Sequence, residues 1–253
     1  MKITICGKGG SGKSTVTALL AKEYAAEGKK VLVIDCDESN YGLHQQLGMD
    51  IPLSLTDYMG GKMKILDDLA EGPQNMPMLF DEKWTLLDIP QGYFAEKDGI
   101  MLMTPGKIQT ANEACACAFS VVMCQFMQVL DLTEDEIVIM DMEAGIEHFG
   151  RGVDNASDVV IMVIDPSRES IKLASKISEI GSSIGKPVYY VLNKVTNDTL
   201  DIVRSGIADK ENICCELPMS QDIMKAGLIG SELQDGNDAI VSMKAYLEKH
   251  YSA

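Results

Sequence analysis

The chain alternates between short, continuously apolar runs and longer stretches in which apolar residues recur at helical spacing. A run that is apolar at every position is typical of a strand covered on both faces of a sheet. The stretches that follow Lys13 and Pro166 have helical periodicity and end at Gly28 and Gly181, glycine being a common helix terminator. Seven apolar runs predict strands over residues 2–6, 30–35, 84–89, 136–142, 159–165, 187–193 and 211–216.

This alternation predicts βαβ units and therefore an α/β fold, with a single doubly wound, mostly parallel sheet and helices on both faces. We expect residues 1–253 to form one domain, because α/β domains often reach this length and no linker or repeat interrupts the chain. Residues 48–108 contain Gly, Pro and Met without clear periodicity, and we interpret them as an irregular insertion.

Charge and cysteine content narrow the class of protein. Asp and Glu number 38 against 22 Lys and Arg, so the formal net charge is −16. A surface this acidic repels nucleic acid and anionic lipid, and we expect neither as a partner. The sequence shows no secretory leader and no apolar run that would span a membrane. With seven cysteines, an odd number, we expect a cytoplasmic protein with reduced thiols.

The first strand is followed by a glycine-rich loop, GKGGSGKST. Residues 7–14 fit G-x-x-x-x-G-K-[ST] between a strand and a helix, the context that a phosphate-binding loop requires. Lys13 is expected to reach the β- and γ-phosphates, Ser14 to bind Mg²⁺ and Thr15 to hydrogen-bond an inner phosphate. The residues expected to contact the nucleotide here are Gly9, Gly10, Ser11, Gly12, Lys13, Ser14 and Thr15.

A second lysine, Lys8, directly follows the first glycine and has no function in the plain motif. The sequence KGGxGK[ST] resembles the deviant Walker A P-loop of the MinD, ParA and nitrogenase iron protein class of dimerising ATPases. The resemblance implies ATP and Mg²⁺ as ligands and a homodimer as the working form. It also implies a catalytic role for Lys8, which in that class reaches across a two-fold interface and acts on transition-state charge.

Two acidic strand ends match further motifs of the class. VLVIDCDES places Asp35 and Asp37 at the end of a strand, and by resemblance Asp37 orients the attacking water while Asp35 supports the magnesium shell. A helix cap is the alternative for one of these acids. IVIMDMEAGIEH ends an apolar strand with Asp141, which would hold Mg²⁺ through water. By the same resemblance the Gly145 N–H senses the γ-phosphate, and the stretch up to Arg151 is a switch region.

The base-binding end is predicted from VLNKV, which ends another strand with Asn193 and Lys194. The Asn193 amide offers a donor and an acceptor to adenine, and Lys194 would flank the base. In related proteins a Pro-containing turn closes over the base, here at Leu217 and Pro218. The guanine-reading pattern N/T-K-x-D is not met by NKVT, so ATP is favoured over GTP.

The segment NEACACAFSVVMC carries Cys115 and Cys117 one residue apart. Side chains at this spacing point about 200° apart on a regular helix, so one interpretation is two buried core thiols. The other is a bridging site, in which a symmetric dimer places four thiolates around one ion. A non-helical turn at a helix start would let both sulfurs converge. Four thiolates suit Ni²⁺ in a square-planar site and Zn²⁺ in a tetrahedral one.

Together, GKGGSGKST, the Cys-x-Cys pair and DMEAGIEHFGRG at residues 141–152 resemble the CooC family of accessory ATPases. Those ATPases supply nickel to carbon monoxide dehydrogenase, and close relatives serve acetyl-CoA synthase. The resemblance implies a metallochaperone that holds Ni²⁺, or Zn²⁺, between protomers through Cys115 and Cys117 and delivers nickel to one of those enzymes. Glu143 departs from the family, which has glycine there. His148 is either a further ligand or a switch residue.

Three other functions are compatible with the class. An iron–sulfur cluster carrier or reductase would bridge a cluster between protomers, although such proteins use two loops or a C-x-x-C pair. A MinD- or ParA-like positioning switch would need a basic C-terminal helix or a basic surface, and neither AIVSMKAYLEKHYSA nor the net charge supplies one. A metalloid-pump ATPase normally fuses two such halves.

Overall fold

The centre of the computed structural model is an eight-stranded β-sheet. The structure describes residues 1–70, 79–80, 82–108, 117–145 and 156–251. The strands in chain order are β1 (Lys2–Gly7), β2 (Lys30–Asp35), β3 (Ala95–Lys97), β4 (Ile100–Met103), β5 (Glu136–Asp141), β6 (Val159–Ile164), β7 (Val188–Val195) and β8 (Ile213–Pro218). Their spatial order is β3-β4-β2-β5-β1-β6-β7-β8. Every neighbouring pair is parallel except β3 and β4, which are antiparallel.

Helices cover both faces of this sheet. In chain order they are α1 (Lys13–Ala26), α2 (Leu43–Gln46), α3 (Leu55–Tyr58), α4 (Lys62–Ala70), α5 (Cys117–Val129), α6 (Arg168–Ser183), α7 (Leu200–Ser205), α8 (Gln221–Ile229) and α9 (Asp238–Tyr251). Helices α1 and α9 pack on one face of the sheet, together with alternate residues of β1, β2, β5 and β6. Helix α5 covers the opposite face of β2 and β5, and α6 covers that of β6 and β7. The predicted doubly wound α/β fold is therefore confirmed.

The register of the central strands brings the functional strand ends to one edge. Asp35, the last residue of β2, pairs with Asp141, the last residue of β5, and Asp141 also pairs with Ile5 of β1. The loop after β1 leaves the same edge. Ligands of open α/β sheets bind at this carboxyl edge, and the order of the strands puts the P-loop and both acids there.

Six of the seven predicted strands are confirmed with small changes at their ends, and the one over residues 84–89 is wrong. Trp84 makes an isolated bridge to Leu130, and Leu86–Asp88 forms a short 3₁₀ helix. The Thr85 hydroxyl and the Asp88 carboxylate cap this turn reciprocally. Such local side-chain hydrogen bonds compete with strand pairing, and here they prevail.

The region interpreted as an irregular insertion, residues 48–108, supplies two strands of the sheet. β4 has only four residues, IMLM, but it pairs in parallel with β2 from Val31 to Ile34. β3 is an outer edge strand of three residues. Runs this short carry little periodicity, so the long-range pairing of β4 with β2 decides their conformation. Within the part of the chain that the structure describes, no helix is both long and apolar enough to cross a membrane.

Candidate nucleotide-binding site

The loop between β1 and α1 lines a cavity of about 390 Å³. Gly10 and Gly12 have positive φ angles of 78° and 99°, which favour glycine, and Gly12 caps α1 in the left-handed conformation. A Cβ atom on Gly12 would lie 2.1 Å from the Asn193 amide nitrogen, so the close packing also requires glycine. The cavity is lined by Gly9, Gly10, Gly12, Lys13, Ser14, Thr15, Asp37, Asn40, Gln46 and Lys194.

The first turn of α1 presents the polar groups that a phosphate-binding loop needs. The Lys13 ammonium lies 3.5 Å from the Lys8 carbonyl oxygen, so its side chain folds back along the loop. The Ser14 hydroxyl accepts a hydrogen bond from the Asn40 amide at 3.1 Å. Lys13 and Ser14 are largely buried, and Thr15 lines the cavity beside them. The backbone N–H groups at the helix N-terminus add a favourable field for anions.

Two buried carboxylates stand next to this turn. Asp141 is fully buried, and among the described residues neither of its oxygens has a hydrogen-bond partner in good geometry. Burial raises the pKa of Asp141 to about 7, the charge of Asp35 adds to the rise, and the Ser14 hydroxyl and Lys13 oppose it. Burial also raises the pKa of Asp35 to about 6, although its ion pair with Lys107 acts in the opposite direction.

These orphaned oxygens fit a magnesium ion. Mg²⁺ takes oxygen ligands, retains several waters, and in phosphate sites is bound by one or two protein groups together with substrate oxygens. The Ser14 hydroxyl and the Asp141 carboxylate are the side chains that would hold it, directly or through water. When bound, the ion would neutralise charge on the phosphates. Among the described residues, no cluster of three or more His, Cys, Asp or Glu side chains is arranged to hold a metal by itself.

Asp37 lies in the loop between β2 and α2 and lines the cavity. One of its oxygens accepts hydrogen bonds from the Ser39 backbone N–H at 3.1 Å and from the Ser39 hydroxyl at 2.8 Å. The side chain is thus oriented by its own loop. Its position beside the P-loop is the one expected of a residue that orients water, while the role itself stays a prediction.

The residues predicted to bind adenine contact the P-loop in this structure. The Asn193 amide donates to the Ser11 carbonyl oxygen at 2.7 Å, and the Asn193 side-chain oxygen accepts from the Lys194 backbone N–H at 2.9 Å. Lys194, with a φ of 59°, donates to the Gly10 carbonyl oxygen at 2.7 Å. Leu217 pairs with Asn193 across β7 and β8, and Pro218 ends β8. The four residues are therefore grouped at one end of the loop, and their contact with a base stays a prediction.

Comparison with known proteins agrees with this geometry. A family model described as the CobQ/CobB/MinD/ParA nucleotide binding domain, CbiA, matches residues 2–233. The chain belongs to this family. Over 98% of its length it also shares the fold of the septum site-determining protein MinD complexed with Mg-ADP from Pyrococcus horikoshii, with a TM-score of 0.70 at 18% identity and 96% of that chain covered. The predicted membership in the MinD/ParA class is confirmed.

Two relatives in sequence extend the comparison. The chain is 47% identical over 234 residues to an uncharacterized ATP-binding protein of Methanocaldococcus jannaschii, a match that covers 92% of this chain and 94% of the relative. It is 28% identical over 237 residues to the carbon monoxide dehydrogenase accessory protein CooC of Rhodospirillum rubrum, covering 93% and 90% of the two chains.

Lys8, the other lysine of the P-loop, contacts residues of its own chain. Its ammonium contacts the Asp165 carboxylate at 3.3 Å and the Ser167 hydroxyl at 3.0 Å, both just after β6. Burial disfavours the Asp165 charge, but hydrogen bonds from Ser170, Ser167 and Lys8 prevail and lower the pKa of Asp165. About a third of the Lys8 side chain is exposed, 35%. The ammonium of Lys8 is therefore paired within its own chain but remains partly exposed to solvent.

The remaining predicted residues lie at the limits of the described chain. The Gly145 N–H donates to the Gly7 carbonyl oxygen at 3.3 Å, so the stretch after β5 contacts the P-loop. Glu143 is described and half-buried, whereas His148 and Arg151 lie outside the described residues. Cys117 is the first residue of α5, as expected for a cysteine at a helix start. Its side chain and the whole of Cys115 are outside the description.

The sequence analysis does not identify three residues at the site, of which Gln46 simply lines the cavity. Asn40 donates a hydrogen bond to Ser14, and Lys107, whose side chain is 4% exposed, forms a buried ion pair with Asp35. Asn40 directly follows VLVIDCDES, so its position next to Asp35 and Asp37 in the sequence could have identified it as a site residue. Lys107 offered no such signal, because it follows β4, a strand that the sequence pattern did not reveal.

Proposed function

We propose that this protein is an ATP-hydrolysing metallochaperone of the CooC kind. In this proposal the whole chain is one domain, two copies dimerise around ATP and Mg²⁺, and the dimer holds Ni²⁺ as cargo between its Cys-x-Cys pairs. Hydrolysis then releases the ion to carbon monoxide dehydrogenase or acetyl-CoA synthase. The protein acts in the cytoplasm without nucleic acid or membrane, in line with the net charge of −16.

The observation that carries the ATPase part is Asp141, a buried acid with two orphaned oxygens beside Ser14 and the start of α1. A buried carboxylate without a partner is costly, and a bound cation would relieve that cost. Asp37 lines the cavity, and in this proposal it would orient water for in-line attack on the γ-phosphate. Lys13 would stabilise the charge that develops as the phosphoryl group leaves.

The position of Lys8 supports a dimer. Lys8 is absent from the residues that line its own cavity, and its ammonium contacts Asp165 instead. In this proposal Lys8 leaves Asp165 and approaches the nucleotide bound by a second copy of the chain. Such a contact would supply transition-state charge stabilisation in trans, as arginine fingers do in other nucleotide hydrolases.

The cargo assignment is supported by the Cys-x-Cys spacing and by the similarity to CooC over 93% of the chain. Thiolates are soft ligands and select nickel, zinc or copper(I) over the hard ions that ATP binds. A two-fold axis near Cys115 and Cys117 would make the site isologous, with each protomer giving the same pair. Metal affinity would then depend on the nucleotide that sets the dimer affinity.

Equilibrium dialysis with Ni²⁺, paired with size-exclusion chromatography of the apo, ADP and ATP states, tests this proposal. We expect one tightly bound ion per dimer in the ATP state, lost in the Cys115→Ala/Cys117→Ala variant. The matched control is Cys214→Ala/Cys215→Ala, which removes two adjacent buried thiols of β8 and should leave binding intact.

The other outcomes point to different functions. An iron-containing, orange-brown protein with charge-transfer absorption after anaerobic purification would favour the iron–sulfur carrier. Metal binding unaffected by the loss of Cys115 and Cys117 would return both thiols to a packing role. Competition between Ni²⁺ and Zn²⁺ in the same dialysis separates the two candidate ions.

A further inference from the structure

Lys107 makes an unusual set of contacts for a lysine. Its ammonium lies 2.7 Å from an Asp35 carboxylate oxygen, 2.5 Å from the Asp37 carbonyl oxygen and 2.5 Å from the Asn40 carbonyl oxygen. Three oxygens thus accept from the three N–H donors of one ammonium group. The side chain is 4% exposed, and a buried charge is retained only when it is paired and hydrogen-bonded in this way.

Two of these three oxygens belong to the loop of residues 36–42, which joins β2 to α2. This loop, called the Asp37 loop below, carries Asp37 and Asn40, whose side chains line the nucleotide cavity. Asn40 donates to the Ser14 hydroxyl on α1. Lys107 therefore binds the backbone of the loop, through the carbonyl oxygens of the two residues that line the nucleotide cavity.

Further bonds join the same two segments around Lys107. The Ile108 backbone N–H donates to the Glu38 carbonyl oxygen at 3.1 Å, and the Tyr41 hydroxyl donates to the Ile108 carbonyl oxygen at 2.7 Å. The Thr104 hydroxyl donates to the Asp35 carbonyl oxygen at 3.1 Å. The Asp37 loop and the end of β2 are thus hydrogen-bonded to residues 104–108, directly after β4, and Lys107 carries the charge in that contact.

We propose that Lys107 is a positioning residue for ATP hydrolysis, one that holds the Asp37 loop in the geometry that aligns Asp37 and Asn40 with the phosphate site. It acts through the backbone carbonyls of those residues and does not itself line the nucleotide cavity. This proposal rests on the proposed ATPase activity. It assigns to the segment after β4 a direct influence on hydrolysis.

A purely structural role would consist of neutralising Asp35, and the two roles are separable. In Lys107→Met the loop loses both carbonyl contacts and Asp35 loses its counter-ion. In Asp35→Asn/Lys107→Met the charge imbalance disappears, while the carbonyl contacts remain lost. Lys107→Arg keeps a cation but carries a planar fork instead of a compact ammonium.

The first measurement is hydrogen exchange of the peptides that cover residues 36–42, in the nucleotide-free and ADP-bound protein. The backbone N–H groups of Ser39, Asn40 and Gly42 are hydrogen-bonded within the loop and report on its order. We expect faster exchange there in Lys107→Met and in the double variant, by about tenfold, since opening of this loop no longer breaks the ammonium contacts. Lys107→Arg should fall between these variants and the wild type.

The second measurement is steady-state ATP hydrolysis. We expect kcat of Lys107→Met to fall by about 30- to 100-fold, because a displacement near 1 Å of a catalytic group can cost that much. KM for ATP should change less than threefold, since the P-loop is untouched. The matched control is Lys62→Met. Lys62 lines the same cavity as Lys107, its ammonium lies over the Phe119 ring, and it has no hydrogen-bond partner among the described residues. The variant should keep kcat within about twofold of the wild type, because no hydrogen bond to the Asp37 loop is lost.

Each result decides the proposal. Wild-type exchange in residues 36–42 of the double variant would overturn it, as would an unchanged kcat in a folded Lys107→Met protein. The exchange measurement needs no turnover. A wild type that binds ADP but hydrolyses no ATP would therefore refute the proposed ATPase function while leaving the exchange test of Lys107 intact.

Discussion

Two lysines stand beside the nucleotide site, and their surroundings differ sharply. Lys8, in the P-loop, is 35% exposed and contacts one carboxylate and one hydroxyl at 3.0–3.3 Å. Lys107, after β4, is 4% exposed and contacts three oxygens at 2.5–2.7 Å. The same functional group is therefore held loosely at the surface in one region and tightly in the interior in the other.

The environment of Lys8 allows its ammonium to change partners, whereas that of Lys107 does not. A partly exposed ion pair is worth less than about 1 kcal/mol, so Lys8 can leave Asp165 at little cost. Removal of one partner from a buried pair costs several times more, because the remaining charge is left unpaired and out of water. Lys8 is thus suited to a contact in trans, and Lys107 to anchoring the Asp37 loop.

We expect the strongest loss of activity from substitution of Lys8. Lys8→Met should lower kcat for ATP hydrolysis by about 10³-fold, because a cation supplied to the transferred phosphoryl group has that order of effect. Phosphate release measures the rate. Lys83→Met is the matched control, since Lys83 is an exposed lysine whose ammonium pairs with the Asp131 carboxylate. A loss of less than tenfold for Lys8→Met would contradict the role in trans.

The buried lysine should matter most for stability. Lys107→Met is expected to lower the free energy of unfolding by about 3 kcal/mol, because Asp35 then remains buried without a counter-ion. Lys8→Met should lower it by less than about 1 kcal/mol. Urea unfolding of the nucleotide-free proteins gives both values. Equal decreases in the free energy of unfolding for Lys8→Met and Lys107→Met would show that the two lysines contribute equally to stability, and would contradict the prediction.

The pH dependence of stability tests whether burial raises the pKa of Asp141. The pKa of Asp141 is about 7 in the folded protein against an ordinary value of 3.8, so the folded state binds more protons between these values. Stability should therefore fall as the pH rises from about 4 to 7 without Mg²⁺ and nucleotide. Asp141→Asn should remove a large part of that fall, because it deletes the carboxyl group that takes up a proton on folding. Urea unfolding in EDTA measures it, and parallel wild-type and variant curves would contradict the prediction.

The smallest effect is expected at the partner of Lys8. Asp165→Asn removes the charge that holds Lys8 but keeps an oxygen that can accept from Ser167 and Ser170. Because the pair is worth less than about 1 kcal/mol, the dimer dissociation constant with ATP should decrease by no more than about fivefold. Analytical ultracentrifugation measures it. A weaker dimer in Asp165→Asn would show that Asp165 serves the dimer rather than the free protomer.

Motifs made of residues close together in the sequence could be predicted without the structure. The P-loop needs glycines, a lysine and a hydroxyl at fixed spacing after a strand, and all of these lie within residues 7–14. The acids at the ends of β2 and β5 were also predicted, because parallel strands end at one edge of the sheet. Their contact follows directly from the pairing of Asp35 with Asp141.

Two short segments were not predicted correctly, one because of a local capping pair and the other because of a long-range strand pairing. The run at residues 84–89 looks like a strand, yet the Thr85–Asp88 capping pair turns it into a 3₁₀ helix. Conversely, the four residues of β4 become a strand only because β2 lies alongside them. Short segments have weak intrinsic preferences, so their neighbours in space determine their conformation.

The fold class, the P-loop and the strand-end acids could be predicted from the sequence, since each rests on local spacing and on the period of the buried strands. The arrangement of the charges, in contrast, depends on long-range packing. Lys107 is 70 residues from Asp37, and their contact arises because β4 pairs with β2 and ends beside the Asp37 loop. The desolvation that makes this contact strong is likewise a property of the packed interior, which no local sequence pattern records.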